Sequence, residues 1–186
     1  MHLFLVGNHR ADRSGLVRRL LDSYPKELPV CGFMTEKLAP DELGRCPIYL
    51  HPYGMQRRYG RENLIGWCKD QRAEPLPQTF ERYAPRLEAV AKGGIAVLDE
   101  LGVMESGAPR FQQAVFSLLE TAPLVIAAVR DKDTPFLMRV RHYPNAMCFH
   151  VEAGREEECF RVLYSAFEAE VQRCLYQIRK VCKRTY

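Results

Sequence analysis

The sequence predicts an α/β domain built on a mainly parallel sheet, and three observations carry that expectation. Short apolar strand-like stretches alternate with helical ones along the chain, the pattern that places helices on the faces of a parallel sheet. The first strand, Leu3-Phe4-Leu5-Val6, runs through Gly7-Asn8-His9-Arg10-Ala11-Asp12-Arg13-Ser14 directly into a helix. A later strand, Ile95-Ala96-Val97-Leu98, ends in two acids, Asp99 and Glu100.

Residues 2–6 form the first strand, and Leu16, Val17, Leu20 and Leu21 recur at helical spacing from Ser14 to Ser23. Val30 to Glu36 and Pro47 to Leu50 read as two strands joined by the turn-rich Pro40-Asp41-Glu42-Leu43-Gly44, an antiparallel excursion at one sheet edge. Residues 51–78, rich in proline, glycine and charge, read as a long loop. Pro85 suits the first turn of a helix through Leu87 and Val90 to Lys92, which Gly93-Gly94 stops. After the strand at Ile95 comes a helix from Pro109 to Glu120, with Phe111, Ala114, Val115, Leu118 and Leu119 facing inward. A strand at Leu124 to Val129 leads to the charged loop Arg130-Asp131-Lys132-Asp133. A short helix bearing Phe136, Leu137 and Val140 follows, then a strand at Ala146 to Val151.

The chain closes with one long helix, from about Arg155 to Lys183, on which Cys159, Leu163, Ala166, Phe167, Val171, Cys174, Ile178 and Val181 share a face. At 1.5 Å per residue it would span about 43 Å, more than a domain of this size needs to cover its sheet. An apolar stripe of that length suits either packing across the domain or a surface for self-association or a protein partner.

A chain of 186 residues with 47% hydrophobic content is long enough to bury a full core, and residues 1–186 are read as a single domain. The apolar runs are too short to span a bilayer, and the N-terminus enters a strand without a leader pattern, so a cytoplasmic protein is expected. Seven cysteines form no C-x-x-C pair, which fits reduced thiols acting mainly as core fillers and no zinc site. Cys174 and Cys182, eight apart on one helical face, suit either burial or a partner's thiols. The net charge of +4 is mild. Its surplus gathers at Arg173, Arg179, Lys180, Lys183 and Arg184, a pattern that favours a solvated helix end over nucleic-acid binding.

The loop after the first strand occupies the frame of a phosphate-binding P-loop, G-x-x-x-x-G-K-[ST], in which backbone N–H groups wrap phosphates, lysine reaches the β and γ phosphates and Ser or Thr binds magnesium. Gly7 and Ser14 fill their places, but Asp12 stands where glycine is usual and Arg13 where lysine is. A carboxylate about 4 Å from a phosphate repels it by about 4 kcal/mol at an effective dielectric of about 20. Arg10 and Arg13 are positioned in sequence to offset that charge. Read alone, the eight residues also suit a plain strand-to-helix turn.

Asp99 and Glu100 stand at a strand's C-terminal end, where open α/β sheets bind ligands. There Asp99 can hold a magnesium-bound water and Glu100 can orient an attacking water; the alternative is a pair of solvated acids.

Together the two motifs carry a resemblance. Asp99-Glu100-Leu101-Gly102-Val103-Met104-Glu105 closely resembles the D-E-[IL]-G-x-M-E signature of a family of small P-loop nucleoside-triphosphatases of archaea, bacteria and animals. Cys31-Gly32-Phe33-Met34-Thr35-Glu36 is similar to that family's G-F-x-T-E strand. Ala127-Ala128-Val129-Arg130, Pro135-Phe136-Leu137 and Phe149-His150-Val151 match its later segments, so the likeness covers roughly residues 2 to 160. It implies a RecA-like P-loop fold with a mainly parallel sheet flanked by helices, a small antiparallel edge and a long C-terminal helix. It also implies magnesium-dependent hydrolysis of ATP, GTP and other nucleoside triphosphates to diphosphate and phosphate. Carried over by position, Gly7-Asn8-His9-Arg10-Ala11-Asp12-Arg13-Ser14-Gly15 would be the phosphate loop. Ser14 and Asp99 would be the Mg2+ positions, Glu100 the water-activating residue, and Arg130 either a γ-phosphate arginine or the partner of Asp131 or Asp133.

The family's loop reads G-x-P-G-x-G-K-T-T, and His9, Arg10, Asp12, Arg13 and Gly15 depart from it. Phosphoryl transfer depends on charge stabilisation that the loop lysine helps to supply, so the departures point to weak or lost turnover. The alternative is a protein on the same fold that binds nucleotide, another anion or a partner without catalysis. A phosphotransferase with Arg139 and Arg141 as lid arginines is a third reading, disfavoured because the Asp99-Glu100 pair points to water as acceptor.

Overall fold

Leu3 and Leu5 pack on one face of the first strand and Phe4 and Val6 on the other, the two-residue alternation of a strand buried on both sides. That strand, β1 (His2–Gly7), lies inside an eight-stranded sheet of order β5-β4-β3-β2-β6-β7-β1-β8. The computed structural model describes residues 1–24, 27–70, 72–89 and 94–182. Strands β2 (Val30–Lys37), β6 (Ile95–Leu101), β7 (Leu124–Arg130), β1 and β8 (Ala146–His150) run parallel. Strands β3 (Cys46–Pro52), β4 (Leu64–Lys69) and β5 (Arg72–Pro75) extend the sheet antiparallel beyond β2.

Helices α1 (Arg13–Ser23) and α5 (Glu156–Cys182) cover one face through Leu16, Val17, Leu20, Leu163, Phe167 and Val171. Helices α2 (Pro77–Glu88), α3 (Pro109–Thr121) and α4 (Pro135–Arg141) cover the other through Phe80, Leu87, Phe111, Val115, Phe136 and Leu137. β7 lies between β1 and β6, the arrangement expected of a RecA-like P-loop domain. The chain leaves β1 for a helix on one face and β7 for a helix on the other. That divergence opens a crevice at the C-terminal ends of neighbouring strands, where α/β sheets bind ligands.

The expected elements are present, with two corrections. Residues 51–78 are not a long loop: they contain β4 and β5, and α2 begins at Pro77. Strand β4 buries Ile65 against the α2 and α3 core, but its glycine and flanking charges hide it in the sequence. Gly66 has φ +141°, and a Cβ there would lie 2.3 Å from the Glu74 carbonyl oxygen, so this edge requires glycine.

The second correction is that α2 starts eight residues before Pro85, with Pro77 in the first turn and Pro85 inside. Phe80, Tyr83, Ala84 and Leu87 form its buried face at helical spacing. Their burial offsets the cost of an interior proline, about 3 kcal/mol. Val90, Lys92 and Gly93 of the expected helix end lie outside the described residues.

All six described cysteines are free; Cys174 is buried in the core and Cys31, Cys148 and Cys159 are half-buried against it, as expected of core fillers, while Cys46 and Cys68 lie outside both clusters. Cys174 packs between α5 and the sheet. The apolar stripe of α5 is covered by the domain through Cys174, with Ile178 partly buried against the same core. The side chains of Val181 and Cys182 lie outside the described residues. No described helix is long and apolar enough to cross a membrane.

Candidate functional site: a P-loop closed from within

The parallel strands β1, β6 and β7 deliver Gly7, Asp99, Glu100 and Arg130 to one edge of the sheet, with Gly7 directly opposite Arg130 in the β1–β7 register. In β6, Ile95 and Val97 face the α1 side. Strand alternation sends Asp99 the same way, and there it meets Ser14 in the first turn of α1. The Ser14 hydroxyl donates to Asp99 Oδ1 at 2.5 Å. The Asp99–Glu100 peptide is cis, and the β6–β7 register slips between Asp99 and Leu101.

The loop between β1 and α1 satisfies much of its own backbone. Asp12 caps α1, its carboxylate accepting from the Gly15 N–H at 2.8 Å, an ordinary use of aspartate at a helix start. The Asn8 side chain accepts from Arg10 N–H at 2.8 Å. The Ala11 N–H donates to Asn8 O at 3.3 Å and the Arg13 N–H to Ala11 O at 3.0 Å. Four amides of a segment that wraps phosphate in a working P-loop are therefore engaged within the chain. The carboxylate of Asp12 stands where the helix terminus would attract an anion.

Arg13 fills the centre of this loop. Its side chain is 3% exposed, and its Nη1 donates to the carbonyl oxygens of Gly7 and Asn8. Its Nη2 donates to Glu100 Oε2 at 2.7 Å. A Cβ on Gly7 would come within 2.7 Å of the Val151 carbonyl oxygen and 3.4 Å of Arg13 Nη1, so glycine is what lets the residue after β8, the loop and the guanidinium converge. Arg130 approaches Glu100 from the other side, with Nη2 2.6 Å and Nε 3.1 Å from Oε1. Glu100 thus lies between two guanidinium groups, and its own N–H donates to Thr35 Oγ1 at 3.3 Å.

Two buried acids titrate out of their usual range. Burial pushes Asp99 up to about 6; the Ser14 hydrogen bond opposes this, the Glu100 charge adds to it, and the positive charges of Arg18 and Arg13 oppose it. Burial likewise pushes Glu105 up to about 7, against backbone hydrogen bonds that include the Gly102 N–H at 3.0 Å from its Oε2. Asp99 Oδ2 is buried without a hydrogen-bond partner, and so is Arg13 Nε.

The structure brings Gly7, Arg13, Ser14, Asp99, Glu100 and Arg130 into one cluster. Asn8, His9 and Arg10 form the exposed tip of the loop, beside a cavity of about 290 Å³ that Gly7, Asn8, His150 and Glu152 help to line. Arg130 does not pair with Asp131 or Asp133 as one reading expected. Its place opposite Gly7 turns it to Glu100, while Arg141 takes Asp131 and, at 2.6 Å, Asp133. Arg139 lies over the Phe116 ring at 4.2 Å, so neither α4 arginine reaches over the loop. Sequence reasoning missed Thr35, Arg18 and Glu105 as neighbours of the acids. Arg18 had a legible signal: it lies four residues after Ser14, on the same face of the helix.

Residues 2–163 match the sequence model of a family described as NTPase. The chain belongs to this NTPase family. Two solved structures share the fold. THEP1 from the hyperthermophile Aquifex aeolicus is 18% identical, with a TM-score of 0.68 over 90% of this chain and 99% of that one. A human cancer-related nucleoside triphosphatase is 20% identical, with a TM-score of 0.63 over 90% of this chain and 97% of that one. At these identities the likeness shows a common fold. No curated protein matches the chain in sequence. In this member of the NTPase family, Asp99 and Glu100 thus face a β1–α1 loop whose centre is filled by an arginine.

Proposed function

We propose that this chain is a nucleoside triphosphatase of low intrinsic turnover, with a phosphate loop latched by its own side chains in the absence of nucleotide. The observation that supports this reading most directly is the buried Arg13 guanidinium, held by the Gly7 and Asn8 carbonyls and by Glu100. A nucleoside triphosphate binding here must displace that guanidinium and share the α1 terminus with Asp12.

The residues for a divalent cation fit Mg2+. The unpartnered Asp99 Oδ2 and the adjacent Ser14 hydroxyl are hard oxygen donors, and Mg2+ is commonly held by one or two protein oxygens plus water and phosphate. Among the described residues no group of three or more His, Cys, Asp or Glu side chains gathers to hold a metal, so phosphate oxygens would complete the shell. When bound, the cation neutralises charge on the β and γ phosphates.

The protein's own residues divide the remaining work. Arg13, once released, turns from carbonyl oxygens to phosphate oxygens and keeps the loop's positive charge, though its planar fork needs more room than a lysine ammonium. Its release frees Glu100 Oε2 to accept a hydrogen bond from an attacking water. Arg130 continues to hold Oε1 and so fixes the carboxylate's direction.

The test is phosphate release from ATP, GTP, CTP and UTP with Mg2+, against a Glu100→Gln control. Turnover above the control supports hydrolysis; turnover equal to the control rejects it. A second reading, nucleotide binding without hydrolysis, is favoured by the engagement of both Glu100 oxygens. Calorimetry showing saturable nucleotide binding in the absence of turnover would select it.

A further inference from the structure

The antiparallel edge β3–β4–β5 plays no part in the phosphate site, yet with Glu100 and the segment after β6 it lines a half-open cavity of about 140 Å³. Its body is apolar, with Ile48 and Ile65 from the edge strands facing Val103 and Met104 from the segment after β6. Its polar boundary includes Arg130 and Lys132. A cavity of about 150 Å³ accepts a benzene ring, so the volume between these apolar side chains matches one ring or a chain of similar bulk, with its polar end open to water. Arg130 shares its guanidinium with Glu100, whereas the Lys132 ammonium has no ion-pair partner among the described residues.

We propose that this cavity is a second ligand site, for a small organic anion whose apolar body lies among Ile48, Ile65, Val103 and Met104 and whose anionic head meets Lys132 and Arg130. Apolar pockets with a few convergent polar groups at one end are the usual form of a small-molecule site. The other polar walls are compatible with an anion. Glu100 is neutralised by two guanidinium groups, Thr35 Oγ1 can donate a hydrogen bond, and burial favours the neutral form of Glu105 below about pH 7. An occupant drawing on Arg130 competes with Glu100 for it, so the site touches the candidate chemistry from the side opposite the phosphate loop. The inference stands on the cavity alone and does not depend on nucleotide turnover.

Benzoate is the probe, because its ring matches the volume and a carboxylate is a poorer ligand than phosphate for the loop. Two-dimensional NMR titration of the full chain without nucleotide should show saturable shifts at Ile48, Ile65 and Met104, with benzyl alcohol binding more weakly. Lys132→Ala should weaken benzoate by about tenfold, the loss of one charge-assisted contact. Cys68→Trp, which places a large ring at a half-buried wall, should abolish binding. Ala73→Trp, on the exposed strand opposite Cys68, provides a second filling variant should the first fail to fold. Equal affinity for benzyl alcohol would overturn the anion assignment. Unchanged benzoate binding in a folded filling variant, or shifts confined to Gly7–Gly15, would overturn the site.

Discussion

Arg13 Nη2 lies 2.7 Å from Glu100 Oε2 with the arginine side chain only 3% exposed, which joins the altered loop to the acid motif by a single ion pair. Restoring the usual loop chemistry should break this pair and open the site. The double substitution Asp12→Gly with Arg13→Lys removes the carboxylate from the helix terminus and replaces the fork with a compact ammonium. The repulsion estimate of about 4 kcal/mol sets a ceiling near a thousandfold. Asp12 is exposed, so screening by solvent and salt brings the expected gain to about ten- to a hundredfold, read as phosphate released per minute at subsaturating nucleotide. An unchanged rate would show that the loop is not what limits turnover.

Asp12 alone should separate stability from binding. Its carboxylate accepts from Gly15 N–H at 2.8 Å, so Asp12→Ala should cost about 1 kcal/mol of stability through the lost cap. The same change vacates the α1 terminus and should raise affinity for a nucleoside triphosphate. Urea unfolding and calorimetry on one preparation check both directions. A variant that lost stability and affinity together would contradict the placement of Asp12 as a competitor for phosphate.

Legibility in the sequence followed the locality of each signal. β1, α1, β6, α3 and β7 were readable because unbroken apolar runs with two- or 3.6-residue periods fixed both type and buried face. β4 was not, because it holds its place through pairing with β3 and β5 and through a glycine that its neighbours demand. Neither cause leaves an apolar run. Pro85 misled because proline at a helix start and proline tolerated inside a packed helix look alike in sequence. At the site, the residue types of Ser14, Asp99 and Glu100 and their places on strand or helix ends were readable. The inward turn of Arg13 was not, since it depends on Glu100, 87 positions away. The reading that paired Arg130 with Asp131 or Asp133 failed for a related reason: those acids are near in sequence, whereas Glu100 is its partner across the sheet.

Glu105 should make the fold pH-sensitive. Its carboxyl is raised from 4.5 to about 7 by burial, so the native state holds a proton that the unfolded chain has already released. The stability from this group is therefore greatest below the unfolded value and is lost as pH rises from about 4.5 to about 7. Linkage places its size at about 3 kcal/mol at most. Glu105→Gln, neutral throughout and still able to accept from Gly102 N–H, should be less sensitive across that window. Asp99, raised to about 6, contributes with the same sign in both proteins and leaves a smaller residual slope. Denaturant unfolding at about pH 5 and about pH 7.5 tests this. A stability difference between the two proteins that did not change with pH would mean that Glu105 is ionised in the fold.

Gly32 should prove the most sensitive glycine on the path to the site. It lies in β2 with φ +106°, and a Cβ there would fall 2.0 Å from the Val97 carbonyl oxygen and 2.8 Å from the Val97 nitrogen. Both obstacles are backbone of β6, the strand that carries Asp99 and Glu100, so no side-chain rotation relieves the clash. Gly32→Ala must separate β2 from β6, whose register pairs Gly32 with Val97 and Met34 with Asp99. Gly44→Ala is the control, because Gly44 also has positive φ, +71°, but nothing lies within 4 Å of its Cβ position. The control should cost about 1 to 2 kcal/mol from backbone conformation alone, and Gly32→Ala more than about 3 kcal/mol. Only Gly32→Ala should also weaken Mg2+-dependent nucleotide binding, since it alone moves the strand end that holds Asp99. Equal losses of stability in the two variants would show that β2 and β6 can part locally at no added cost, and that the β2–β6 contact does not position Asp99.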